Sequence, residues 1–187
     1  REYDGNHLGE GWFDIISKDG GFYFQTAYET LDSIVDPLTT RQLGQRFLDA
    51  LTWYGDAVAE QSSSAKVIKY VAAMERMVIT EESKNVTGRV IRRCSLLSTV
   101  PDENKDYVYW EALFKRIYDC RSDLLHGTIS PFDEQVKSVA SEAAYASQRL
   151  LMRGLAFFHH IKGLKEAKYS IKRLKRAYKL LEEGPIR

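Results

Sequence analysis

The sequence predicts an all-α fold, an antiparallel bundle of helices preceded by a short irregular or β-hairpin arm. Three observations lead there. From Pro37 onward, apolar residues recur at the helical period of about 3.6 rather than at the two-residue period of a strand. Start and stop signals break that pattern into helix-sized pieces, with Thr, Ser or Asp before the apolar runs and Gly or Pro after them. The chain has 187 residues, of which 44% are hydrophobic, enough for one domain with a buried core.

Residues 1–36 stand apart. Gly5, Gly9, Gly11, Gly20 and Gly21 lie among many aromatics there. Trp12-Phe-Asp-Ile-Ile16 and Phe22-Tyr-Phe-Gln-Thr26 flank Lys18-Asp-Gly-Gly21, which reads as a β-hairpin with an Asp-Gly turn or as an irregular arm on the bundle. Next, Thr39 or Thr40 can cap a first helix with Leu43, Phe47, Leu51, Tyr54 and Val58 along one stripe. Gln61-Ser-Ser-Ser64 breaks it, and Ser64 can cap a second carrying Val67, Val71, Met74 and Val78. A third is expected from about Asn85 to Leu97, before Pro101. The fourth runs from about Asp102 to His126, with Trp110, Leu113, Phe114, Ile117 and Leu124 as its stripe and Gly127 as its stop. The fifth, from about Pro131 to Lys162, lines up Val136, Val139, Ala140, Ala143, Ser147, Leu150, Leu151, Gly154 and Phe158, a narrow face of small and apolar residues that lets another helix come close. A sixth, from about Leu164 to Leu181, uses Ile171, Leu174, Tyr178 and Leu181. The chain thus divides into residues 1–36, an arm or the remnant of a preceding domain, and residues 37–187, a bundle with a basic last helix.

Composition narrows the function classes. A charged fraction of 28% argues against disorder. No stretch approaches the roughly 20 apolar residues of a membrane span, and no signal peptide opens the chain, so a cytoplasmic location is expected. The first residue is Arg1 rather than Met, as in a piece of a longer protein. Cys94 and Cys120 are the two cysteines and lack CxxC spacing, against a disulfide framework or a zinc site. Net charge is +1 but uneven. From Lys162 onward nine basic residues face three glutamates, while the first 60 residues lean acidic. That polarity suits an anionic partner such as RNA, or simply a solvated helix face.

Several catalytic signatures are missing: no GxxxxGK(S/T) phosphate loop, no HExxH and no GxSxG. His159 and His160 are neighbours on a helix, pointing about 100° apart, and cannot both face one metal. His7 is isolated. What remains is Arg121-Ser-Asp-Leu-Leu-His126-Gly127 at the end of the fourth helix. Five residues turn a helix by about 140°, so Arg121 and His126 do not share a face. They converge only if the last turn unwinds or if two copies meet. His is suited to shuttling protons near neutral pH, and Arg offers a fork of donors matched to phosphate. The structural alternative is an Arg that bonds carbonyls or Asp119 or Asp123, and a His that caps the helix.

The stretch from about Arg46 to Phe158 resembles HEPN domains, specifically the Apea-like HEPN group. The resemblance rests on Ala73-Met-Glu-Arg-Met77 in the second helix, Gly88-Arg-Val-Ile-Arg-Arg93 in the third, and Ile117-Tyr-Asp-Cys-Arg-Ser-Asp-Leu-Leu-His-Gly127, which is close to the family pattern Tyr-x-x-Arg-Ser-x-x-x-His-Gly. Residues 1–36 and the basic last helix lie outside it. Many HEPN domains are metal-independent ribonucleases that act as dimers, with the Arg-x4–6-His motifs of both copies lining one cleft, and they recur in toxin–antitoxin and antiphage systems. Active members often carry Asn, Asp or His after the Arg, where this chain has Ser122, followed by Asp123.

The resemblance implies an endoribonuclease for single-stranded RNA that needs no metal and no cofactor, works as a homodimer and has an antitoxin or sensor-domain partner. The RNA 2′-hydroxyl would attack the adjacent phosphorus, with His126 as general base or, from the other copy, general acid. Arg121 would stabilise charge on the phosphoryl oxygens. Ser122 would donate to a phosphate or orient the His, with Asp123 beside it. Glu75 would hold Arg121 or bond to another helix end, and Tyr118 would line the cleft or pack in the core. Two other classes remain open: a non-catalytic module binding RNA, nucleotides or a protein, and a plain helical interaction domain.

Overall fold

The computed structural model describes residues 42–80, 85–99, 105–161 and 170–184. All regular structure among them is helical: α1 (Gln42–Ala59), α2 (Ser63–Val78), α3 (Val86–Thr99), α4 (Tyr107–His126), α5 (Glu134–His160) and α6 (Ser170–Glu183). The arm expected over residues 1–36 and the start of the last helix near Leu164 lie outside the described residues.

Local chemistry sets most of the helix starts. Ser62, not Ser64, caps α2, its side chain accepting from Ala65 N; Ser64 lies inside the helix, with its hydroxyl 2.8 Å from that of Ser62. Asn85 Oδ1 accepts from Gly88 N (3.1 Å) as α3 begins. Asp106 caps α4, later than the expected Asp102, by accepting from Tyr109 N (2.9 Å). Asp133 caps α5 through Gln135 N (2.8 Å), two residues after Pro131.

One stripe differs from expectation. On α1 the buried line is Leu43, Phe47, Ala50 and Ala57, with Tyr54 partly buried, while Leu51 is 43% exposed and Val58 55% exposed. The alanines win because each lies one residue, or about 100°, away from the larger side chain, on the side where α2 packs. Small side chains there allow close approach of α1. The same logic holds on α5, where the whole expected face is buried. At Gly154 an added Cβ would run into the terminal methyl of Met77, so glycine there makes room for the tip of that side chain of α2.

The long helix α5 sits at the centre, touching α1, α2, α3 and α4. It runs antiparallel to α4, with Arg116 bonded to Glu142 near one end and Trp110 stacked on Tyr145 (5.8 Å between ring centroids) further along. Helix α6 closes the bundle against α3 and α1. Its fixing point is the C-terminus of α2, where the last carbonyls have no partner within the helix. Arg46 on α1 donates to Arg76 O (2.6 Å) and to Ile79 O. Arg93 on α3 donates to Val78 O (2.8 Å) and through Nε to Glu182 (2.7 Å). The Tyr178 hydroxyl of α6 donates to Met77 O (3.1 Å), and its ring lies under the Arg93 guanidinium. Two buried arginines thus serve as caps, and their charges are tolerated in the core because Arg46 Nη1 and Arg93 Nη1 meet carbonyls and Arg93 Nε meets a carboxylate, while Arg46 Nε makes no hydrogen bond among the described residues.

Candidate functional site

Helix α4 carries the motif, and its end is firmly built. Gly127 adopts φ +71°, the left-handed conformation that glycine enters without strain. Thr128 N donates to Asp123 O (2.9 Å) and Gly127 N to Leu124 O (3.4 Å), the paired bonds of a Schellman motif. Thr128 Oγ1 adds a bond to Asp123 Oδ1 (3.0 Å). The last turn therefore stays helical through His126, and unwinding does not bring His126 back toward Arg121.

Arg121 and Tyr118 are three residues apart, on the face of α4 that meets α2. There they find Glu75. The Tyr118 hydroxyl donates to Glu75 Oε1 (2.7 Å), and Arg121 Nη2 lies 3.9 Å from the same oxygen. The Arg121 guanidinium also sits over the Tyr118 ring, 5.5 Å from its centroid. Burial pushes the Tyr118 phenol pKa up, and its bond to the Glu75 carboxylate adds to that, with the Thr87 hydroxyl opposing. Burial likewise raises the Cys94 thiol, reinforced by the charge of Glu75. Cys94 and Cys120 are both buried free thiols.

Three of the six residues singled out in the sequence therefore meet: Glu75, Tyr118 and Arg121. The side chain of Arg121 is 29% exposed, and its Nε makes no hydrogen bond among the described residues. Asp119 pairs with Lys115, and Asp123 with Thr128, so neither takes Arg121. Ser122 is half-buried, Asp123 is exposed, and His126 is exposed and apart from the cluster. Neither Ser122 nor His126 is joined to Arg121 in this chain.

Sequence reasoning missed two features. Thr87, at the start of α3, reaches the Tyr118 oxygen, a contact between helices that no local pattern signals. The other is exposed apolar surface at the end of α4 and in the loop after it: Leu125 is 53% exposed and Phe132 is 88% exposed. Both residue types at the end of a helix and in the following loop were a readable signal, since large apolar groups seldom sit in water without a partner surface.

Among the described residues no three His, Cys, Asp or Glu side chains gather closely enough to hold a metal ion. The rings of His159 and His160 are 6.2 Å apart at 72°. A groove of about 250 Å³ lies elsewhere, beside Tyr145, Gln148, Arg149, Met152 and Arg153, with no motif residue in its wall. No helix among the described residues is long and apolar enough to cross a membrane.

Comparison with protein-family models, with curated proteins and with solved structures gives no match.

Proposed function

We propose that this chain is a metal-independent endoribonuclease of the HEPN type, cutting single-stranded RNA. The observation that carries the reading is the Glu75–Tyr118–Arg121 arrangement on a helix whose firmly built end also carries an exposed histidine, apart from that cluster. Glu75 and Tyr118 steady the guanidinium, and a loosely held ion pair at 3.9 Å is readily exchanged for a phosphate.

In one chain Arg121 and His126 diverge by about 140° around the helix. Catalysis then needs two copies, and the exposed Leu125 and Phe132, at the end of α4 and in the following loop, supply apolar surface for that seam. In the assembled cleft the imidazole of one His126 takes the proton from the ribose 2′-hydroxyl. The oxygen attacks the adjacent phosphorus, and the 5′-oxygen leaves with a proton from the second His126. Arg121 stabilises the charge on the non-bridging oxygens, worth about 3 kcal/mol for a well-placed donor. The products are a 2′,3′-cyclic phosphate and a 5′-hydroxyl. A toxin or antiphage effector in the cytoplasm, held in check by an antitoxin or sensor domain, completes the proposal.

The separation of Arg121 from His126 also favours a second reading, a module that binds RNA or a protein without cutting. One assay separates the two. Labelled single-stranded RNA is incubated with the protein in EDTA, beside Arg121→Ala and His126→Ala. Cleavage that falls at least about 100-fold in both variants supports catalysis. Binding with no cleavage by the unaltered protein supports the second reading, and equal cutting by all three proteins ends the first.

A further inference from the structure

The groove along α5 lies away from the Arg121 site and has a chemistry of its own. Tyr145, Gln148, Arg149 and Met152 stand at i, i+3, i+4 and i+7, so they share one face of α5, and Arg153 adjoins it. Tyr145, Gln148 and Met152 are exposed there. Among the described residues the wall holds no carboxylate.

A fixed aromatic block supports the groove. Trp110 of α4 is fully buried and stacks on Phe114 and on Tyr145, whose ring lies 5.8 Å away at 16°. Arg149 is held in place by donating to Ser98 O of α3 (3.3 Å), with its guanidinium 5.6 Å from the centre of the Trp110 ring. Lys105 Nζ donates to the Tyr145 hydroxyl (2.6 Å), and that bond raises the pKa of the ammonium. A phenol is neutral, so it leaves the charge of Lys105 uncompensated. Neither Lys105 nor Arg153 makes an ion pair among the described residues. Arg149 and Arg153 stand at i and i+4, a spacing at which like charges weaken a helix, so the charge of Arg153 does not serve α5 itself.

We propose that this groove binds a small aromatic anion, a compound of one or two rings carrying a phosphate or a carboxylate. The ring packs on Tyr145 and the Met152 thioether, and Gln148 bonds to polar atoms at its edge. Arg153 offers its fork of donors to the anion, while the Lys105 ammonium adds positive charge at the Tyr145 end. The groove volume of about 250 Å³ lies below the roughly 300–1,000 Å³ of sites for drug-sized ligands, which sets the limit on ring number. Helix α4 rises about 16 Å from Trp110 to Arg121, so this site is separate from the motif and does not rest on the nuclease reading.

The test titrates the full chain by calorimetry with 1-naphthyl phosphate and with 1-naphthoate. Beside them stand the two halves of that chemistry, neutral 1-naphthol and inorganic phosphate. At least one aromatic anion binds saturably at a single site per chain, and Arg153→Gln weakens it about tenfold. Arg153 has no ion pair to lose, so this variant keeps its helical signal and melting temperature. Arg176→Gln, which removes an exposed cation on α6, leaves binding unchanged. A preference for the phosphate or for the carboxylate names the acid group and supports the proposal. Naphthol bound as tightly as the anions overturns it, because the cations then contribute nothing. Inorganic phosphate bound as tightly overturns it too, because the ring is then idle. So do an unchanged affinity in Arg153→Gln, an equal loss in Arg176→Gln, and no binding of either aromatic anion at about 1 mM.

Discussion

At the residue scale the bond between Tyr118 and Glu75 decides where Arg121 stands. The hydroxyl donates to a carboxylate that is about a quarter exposed, so the interaction falls below the 1.5–3 kcal/mol typical of hydrogen bonds to charged groups. Tyr118→Phe is expected to cost about 1 kcal/mol in urea unfolding. It also leaves Arg121 free to close on Glu75, which lowers RNA cleavage while leaving the fold intact. Unchanged stability together with unchanged cleavage would show that the phenol is merely packed. Gly127 acts at the same scale. Its left-handed conformation and the two bonds around it keep His126 at a fixed height on α4, which loop geometry alone would not ensure.

At the element scale, hairpin α1–α2 turns on Glu60. Its carboxylate accepts from Gln61 N (2.8 Å), Ser62 N (3.1 Å) and Lys69 Nζ (2.8 Å), joining the end of α1 to the cap of α2. The side-chain bond from Lys69 is the first cause, followed by the two backbone bonds, of a pKa lowered to about 2 from an ordinary 4.5. A carboxyl depressed on folding adds stability above its unfolded pKa and loses it as pH falls through the folded one. The stabilising effect is thus whole above pH 4.5 and gone near pH 2. Glu60→Gln should therefore melt earlier than the unaltered protein at pH 6, with the gap closing between those two values. A gap that is constant with pH would place the effect in packing instead. The other strong element-level device is the arginine cap on α2, which joins α1, α2, α3 and α6 at a single helix end.

On the scale of the whole molecule, the question is what covers Leu125 and Phe132. Leu125 precedes His126 in the last turn of α4 and Phe132 lies in the loop that follows; both are well exposed, and Phe132 is almost fully in water. Under the proposed function a second copy covers them. Replacing both, Leu125→Asp with Phe132→Asp, is expected to shift the protein from two chains to one in light scattering. RNA cleavage should vanish with the dimer although the helical signal stays. A dimer that survives the double change, or a single chain that cuts, would remove the paired-motif cleft from the mechanism.

Much of this molecule was legible in the order of its residues, because helix boundaries and amphipathic faces depend on neighbours within a turn or two. The stripe on α5, the stop at Gly127 and the presence of Arg121, Ser122, Asp123 and His126 at one helix end are of that kind. Even Glu75 and Tyr118 could be named in advance, although their 2.7 Å bond could not be measured there. Other features could not be read locally. Periodicity favours large apolar residues and so chose Leu51 and Val58, whereas close helix contact selects Ala50 and Ala57. Arg46, Arg93 and Tyr178 reach the end of α2 from three other helices. The sequence by itself determined an all-helical chain with an Arg and a His at the end of α4. Only the tertiary structure decided that Arg121 faces Glu75 while His126 faces outward, because which side of a helix is covered depends on partners distant along the chain.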